Sequence, residues 1–300
     1  MYRTIAVPLD GSDLAERAIA VAGALAKRDG AEVRVLHVHT PVPILSGAGE
    51  LVVTQLRSTQ REYIERTAAN AAAQFGIRAT AEELDGDVAA AICAEVAHLP
   101  ADLVVMTTHG RTGASRFWLG SVADAVMRHI TVPVLMLRAS EESVSAVSQI
   151  RTVVMPIDGS TLASEIVSHA IDLGSVGCRY TLVRVVQPVP TVIGGTGFAP
   201  PAVVPDADAT NAALREATAD VDRLAARLRQ EHSGLQVDSV VRVAPGVAAE
   251  LLEIERERQP DVLAIATHGR GLSRVVMGSV ADKLLRGGSS AMLVWHPPHD

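Results

Sequence analysis

Residues 102–124 read DLVVMTTHGRTGASRFWLGSVAD, and residues 261–282 read DVLAIATHGRGLSRVVMGSVAD. Each copy opens with an Asp and an apolar run, VVM or VLAIA, of the kind that fits a strand buried on both faces. Each breaks at Thr-His-Gly-Arg, where the Gly lets the chain turn off the end of a sheet. Each then reaches Gly-Ser-Val-Ala-Asp. There Ser121 and Ser279 are expected to N-cap a helix, with the Asp three residues on completing an S-x-x-D opening. A Gly-rich loop between a parallel strand and a helix N-terminus is a generic anion cradle, because free backbone N–H groups converge there and the helix dipole favours a phosphate. Two such loops in one chain point to a duplicated phosphate-binding module.

Working outward, RTIAVPLD (3–10) is expected as a strand, followed by Gly11-Ser12 and a helix with apolar residues at helical spacing. A second strand (32–38), a long amphipathic helix (50–75), a weaker strand (77–84) and the helix after Gly86 come next. Strand 102–106, the Gly loop, helix 121–129 and strand 132–137 complete a β-α-β-α-β-α-β-α-β order, the doubly wound α/β pattern. Residues 151–160, RTVVMPIDGS, then echo 3–12, RTIAVPLDGS, at an offset of 148. Strand 180–186 echoes 32–38, Gly246 echoes Gly86, and strand 291–296 closes the second half. A repeat of this length means tandem copies of a whole domain. Domain 1 is expected over 1–139, a small polar linker over 140–149 and domain 2 over 150–300. The offset drifts because 187–210, read as a long loop that is either a lid or disordered, exceeds its first-half partner.

Composition agrees with two domains: 300 residues, 48% hydrophobic and only 3% aromatic, suit aliphatic packing of helices on a parallel sheet. A net charge of −7 argues against general affinity for nucleic acid or anionic membrane. Local basic residues do sit in the Gly loops, Arg111, Arg116, Arg270 and Arg274, where a small anionic ligand or plain solvent accounts for them equally. Cys93 and Cys178 occupy non-corresponding places and lack a CxxC partner, so they read as bystander thiols in a reducing compartment. The opening MYRTIAVPLDGSD has no signal-peptide profile, and no apolar run approaches the roughly 18–20 residues of a membrane span. The expected setting is cytoplasmic.

With both Gly loops, the PLDGS and PIDGS turns and the strand order in hand, the chain resembles a tandem universal stress protein over nearly all of both halves. That resemblance implies two five-stranded parallel domains, Rossmann-like and of the adenine nucleotide alpha-hydrolase type, related by a pseudo-two-fold axis. The family's nucleotide signature is G-x-x-G, nine residues, then G-[S/T]. In the first half Gly110, nine residues and Gly120-Ser121 match, while the first Gly is Thr107. In the second half Gly269 is followed by eight residues before Gly278-Ser279, and the first Gly is Ala266. A Cβ at either place, or a shorter loop, changes how the backbone meets a ligand, so the first half reads as the more intact site.

By resemblance, adenine and ribose would sit against Pro8, Leu9, Asp10 and Val38, with Asp10 available to the ribose hydroxyls, or against Pro156, Ile157, Asp158 and Val185. The phosphates would rest near Thr107, Gly110, Arg111, Gly120, Ser121 and Val122, or Ala266, Gly269, Arg270, Gly278, Ser279 and Val280. Ligands of open α/β sheets bind beyond the strand C-termini at the switch point, which agrees. The implied ligand is ATP, or AMP or ADP, with any Mg²⁺ held mainly by the phosphates. Asp10 and Asp158 each precede Gly-Ser, so turn formation or capping of the first helix accounts for them as well as ligand contact does. His109 and His268 read as loop-orienting rather than catalytic residues.

No G-x-x-x-x-G-K-[ST], HExxH or G-x-S-x-G stands in the sequence. Without a positioned base or a lysine on the γ-phosphate, efficient hydrolysis has little support. The reading is therefore a nucleotide-dependent regulator in stress response, acting through an unknown protein partner. The alternatives are a stress-linked interaction module that binds no nucleotide and, further off, a slow ATP hydrolase. The resemblance also implies that the fifth strands pair, making the chain an internal pseudo-dimer; a homodimer of chains stays open.

Overall fold

The computed structural model describes residues 1–40, 49–108, 119–138, 149–193, 202–267 and 278–296, with the side chains of 49–51 and 161–164 excepted. The first half runs β1 (Thr4–Pro8), α1 (Asp13–Asp29), β2 (Glu32–His39), α2 (Gly49–Phe75), β3 (Arg78–Asp85), α3 (Val88–His98), β4 (Leu103–Thr107), α4 (Ser121–His129) and β5 (Val134–Leu137). The second runs β6 (Thr152–Pro156), α5 (Thr161–Leu173), β7 (Arg179–Val186), β8 (Pro190–Ile193), β9 (Ala202–Pro205), α6 (Ala207–Glu231), β10 (Gln236–Val243), α7 (Val247–Arg258), β11 (Val262–Ala266), α8 (Ser279–Gly287) and β12 (Ala291–Trp295). Of the expected linker, only Gln149 lies within the described residues.

Within each half the main-sheet strands are parallel, in the order β3-β2-β1-β4-β5 and β10-β7-β6-β11-β12. The expected meeting of the fifth strands is present: β5 pairs antiparallel with β12, and ten strands form one sheet. Pairing there satisfies two edges that would otherwise expose N–H and C=O groups.

Successive strand residues point to opposite faces, and both faces are apolar. On β1, Ile5 and Val7 join a core with α1, α2, α5 and α6, while Ala6 joins the opposite core with α3, α4, α7 and α8. Each core contains residues of both halves. The central strands β4, β5, β11 and β12 are buried along their whole length, which is why they read as unbroken apolar runs rather than alternating ones. Each fully buried aliphatic side chain contributes roughly 1.5–3 kcal/mol, so the shared cores bind the halves far more firmly than a surface contact does.

The Asp that opens each repeated stretch closes the other end of the sheet. Asp102 Oδ2 accepts from the N–H of Arg3 at 2.6 Å and of Thr4 at 2.9 Å, and Asp261 Oδ2 accepts from Arg151 at 2.7 Å and Thr152 at 2.9 Å. Two arginines of the first half cross to the second. Arg28 donates to the carbonyls of Asp172 (2.6 Å), Leu173 (2.7 Å) and Gly174 (3.0 Å), capping the C-terminus of α5. Arg138 likewise reaches the carbonyls of Leu284 (3.1 Å) and Leu285 at the end of α8 and that of Ser290 (3.2 Å). Cations at helix C-termini meet the unsatisfied carbonyls and the negative end of the dipole.

The described residues of 187–210, expected as a lid or as disordered loop, carry regular structure. β8 and β9 pair antiparallel across it, Asp206 N-caps α6, and the Val189 N–H donates to Thr210 Oγ1 at 3.0 Å. Runs of two and three apolar residues, Val192-Ile193 and Ala202-Val203-Val204, are too short to show a strand period. Cys178 is buried, Cys93 partly so, and neither forms a disulfide; burial pushes the Cys178 thiol up to about 11.

Candidate functional site at the strand C-termini

The strand order reverses between β1 and β4 in the first half and between β6 and β11 in the second. A crevice beyond the C-terminal ends of those strands is where the open-sheet rule places a ligand. In the second half a cavity of about 600 Å³ occupies that place. Its lining includes Pro156, Ile157 and Asp158 from the turn after β6, Val185 from β7, Ala266 from the end of β11, and Gly278, Ser279 and Val280 at the start of α8. These are eight of the ten second-half residues chosen from sequence; Gly269 and Arg270 lie outside the described residues.

The first half repeats the frame. Leu9 N–H donates to Leu36 O at 2.8 Å, as Ile157 N–H does to Val183 O at 2.8 Å. Asp10 Oδ1 accepts from Ser12 N–H at 3.0 Å and Asp158 Oδ1 from Ser160 N–H at 2.9 Å, the same Asx turn twice. Gly11 (φ 82°) and Gly159 (φ 84°) take the left-handed conformation that this turn requires. Pro8, Leu9 and Asp10 thus follow β1, Val38 lies on β2, Thr107 ends β4, and Gly120, Ser121 and Val122 open α4. Gly110, Arg111, His109 and His268 lie outside the described residues.

Of the two readings left open for Asp10 the turn is the one present, and the expected serine caps of the later helices are corrected. Ser12 rather than Asp10 caps α1, its Oγ accepting from Ala15 N–H at 3.2 Å; Asp10 shapes the turn that brings Ser12 there. The N-caps of α4 and α8 are Gly120 and Gly278, with no side-chain capping bond, and Ser121 and Ser279 are the first helical residues. The Asp three residues beyond each Ser does not complete a capping box: Asp124 pairs with Arg128 and Asp282 with Arg286 one turn on. The glycines at the caps leave no side chain between the first free N–H groups and the crevice.

Several lining residues were not foreseen. Arg184 on β7, Gln187 just beyond it and Glu216 on α6 add polar groups, and Val247, Leu251 and Ile265 supply apolar wall. Arg184 pairs with Asp220 at 3.0 Å, and its guanidinium packs over Gly159, where a β-carbon would come 3.0 Å from Nη1. The first-half counterpart of Arg184 is His37, 4% exposed, whose Nδ1 hydrogen bonds to Leu9 O at 2.8 Å while Nε2 has no partner among the described residues. The adjacent pairs His-Val (37–38) and Arg-Val (184–185) carried that difference in the sequence. Glu216 and Leu251 reach the crevice from helices remote in the chain, and no local pattern marks them.

Among the described residues no three His, Cys, Asp or Glu side chains are placed to hold a metal ion, and no helix is long and apolar enough to cross a membrane. Two doubly wound parallel units, each with its switch point between first and fourth strand and a Gly-Ser helix start beside it, define a tandem Rossmann-like α/β protein. The universal stress protein family model matches residues 1–138 and 149–296, and the chain belongs to that family, with two such domains in tandem.

A universal stress protein of Thermus aquaticus is 37% identical over 139 residues, covering 46% of this chain and 100% of its own. One from Methanocaldococcus jannaschii is 33% identical over 142 residues, covering 46% of this chain and 83% of its own. Over the whole length, the crystal structure of a universal stress protein from Archaeoglobus fulgidus aligns with a TM-score of 0.72 at 18% identity, covering 98% of each chain. A putative universal stress protein from Pseudomonas aeruginosa aligns at 0.64 and 17%, covering 99% of this chain and 94% of that one. At these identities the two structures show the fold.

Proposed function

We propose that this chain is an adenine-nucleotide-binding regulator of a stress response in the cytoplasm, whose occupancy alters its conformation or its protein partner. The observation that carries the reading is the second-half cavity. It sits at the switch point and gathers the PID turn, Val185 and the Gly278-Ser279 helix start, with the carboxylates of Asp158 and Glu216 and the guanidinium of Arg184 in its lining. Carboxylates suit ribose hydroxyls and uncapped helical N–H groups suit phosphates. ATP, AMP and ADP share these features. A Mg²⁺ ion would ride on the phosphates, since the described residues offer it no cage. The first half carries the same turn and helix start, and each half is a separate candidate site.

The test is calorimetric titration of the folded, nucleotide-stripped chain with ATP and Mg²⁺, alongside Gly120→Val and Gly278→Val. Saturable binding is expected, with each substitution removing the share of its own half. A folded protein that shows no saturable binding overturns the reading and leaves a nucleotide-free interaction module.

A further inference from the structure

The second-half cavity does not end at the helix start. A groove of about 610 Å³ continues from it between the N-terminal part of α7 and α8. Val247, Ser279 and Val280 line both spaces, so the two share a wall where the phosphates of a nucleotide are proposed to lie. The groove has two unlike sides. Ala249 and Leu252 of α7 make one side apolar, and Lys283 and Arg286 stand on the other, on α8, Arg286 being paired with Asp282 at 2.9 Å. It closes where the helices touch: a β-carbon on Gly287 would come 3.0 Å from Leu252 Cδ1.

A cavity of about 600 Å³ already falls within the range that holds a small ligand. The groove is as large again, and its chemistry decides what fills it. A terminal phosphate pushed along the α7 side would lose its water against Val247, Ala249 and Leu252 without replacement hydrogen bonds, which is costly. Because Arg286 is committed to Asp282, Lys283 is the cation that a diphosphate at the mouth of the groove would meet, one turn from Ser279. An uncharged, largely aliphatic chain beyond that diphosphate matches the remaining wall. The first half has Ala125 where the second has Lys283, in otherwise matching Ser-Val-Ala-Asp segments, so the feature belongs to the second half.

Resting on the nucleotide reading above, we infer that the second-half site takes adenosine diphosphate esters, with the ester chain lying in the α7–α8 groove. The experiment is calorimetry on the full chain carrying Gly120→Val, which silences the first half, with ADP and with dephospho-coenzyme A as probes. The ester is expected to bind about ten-fold tighter than ADP or more. Ala249→Glu tests the placement: position 249 is exposed and lies in the first turn of α7, where an acid suits the dipole, so the helix keeps its stability. That substitution is expected to bring the ester down to the affinity of ADP and to leave ADP within about two-fold of its former value. An ester no tighter than ADP, or an advantage that survives Ala249→Glu, overturns this inference and leaves the nucleotide reading intact. Failure of both probes to bind overturns the two together.

Discussion

Leu135 lies directly opposite Leu293 where β5 meets β12, and both are 0% exposed. The two residues hold the same place in the two repeats, so the pseudo-two-fold axis passes between them, with Met136 facing Met292 and Val134 facing Val294. Leu293→Ala leaves a cavity on the axis and is expected to cost about 2–5 kcal/mol. Urea unfolding followed by tryptophan fluorescence and by far-ultraviolet circular dichroism measures it. Because both cores run through both halves, the two signals should shift together; separate transitions would show that the halves unfold independently.

Arg28 is expected to matter more than its place at the end of a helix implies. It is held by Asp29, through Nε at 2.6 Å, while it caps α5, and the Asp29 side chain is only 2% exposed. Burial alone would raise the Asp29 carboxyl, but Arg28 and the Tyr2 N–H hold it below the usual carboxylate range. Arg28→Met keeps the aliphatic stem, removes three cross-half hydrogen bonds and strands a buried carboxylate, a loss of about 3 kcal/mol in unfolding free energy. A loss no greater than that of an exposed Arg on α6, such as Arg215→Met, would remove the cap from the account.

Glu255 supports the approach to β12. It is 3% exposed, and its Oε1 accepts from Ser289 N–H at 2.8 Å and Ser290 N–H at 2.6 Å. Gly288 makes room for it: a β-carbon there would lie 2.7 Å from Glu255 Oε2 and 2.8 Å from the Leu284 carbonyl. Gly288→Ala is therefore expected to destabilise by about 1–3 kcal/mol in thermal or urea unfolding, although the φ there is one that alanine readily adopts. An unchanged midpoint would show that the carboxylate and backbone shift without cost.

Stability should fall on mild acidification through His169. Burial against Trp295, with ring centroids 5.0 Å apart, pushes its pKa below the ordinary 6.5, against the pull of Asp172 and Glu165. The folded state therefore binds the proton less well than the unfolded chain. The contribution is present in full above the unfolded value and is lost as pH falls through about 6.5 toward the folded value. Unfolding free energies between about pH 7.5 and about pH 5.5 should slope downward, and less steeply in His169→Gln. Equal slopes would assign the acid sensitivity to other groups.

Much of this molecule is legible in its sequence because the repeat states it twice. The runs VVM and VLAIA read as buried strands, and the PLDGS and PIDGS turns and Gly-Ser helix starts mark both switch points. What escapes is set by contacts between distant positions. Arg28 and Arg138 look like ordinary surface arginines until the sheet forms and brings foreign helix ends within reach. Glu216 enters the crevice from a helix face that no local pattern distinguishes. Ser121 and Ser279 mislead at short range: a serine after glycine mimics a cap, but glycine takes the cap position and leaves the helix mouth bare.

The antiparallel seam gives the protein two ends. Because β12 runs against β5, the strand C-termini of one half point away from those of the other, and the two switch points lie on opposite rims of a single sheet. A macromolecule seated over one rim leaves the other in open solvent. One rim can therefore be covered without covering the other, and the short β5–β12 seam is the backbone that the two halves share.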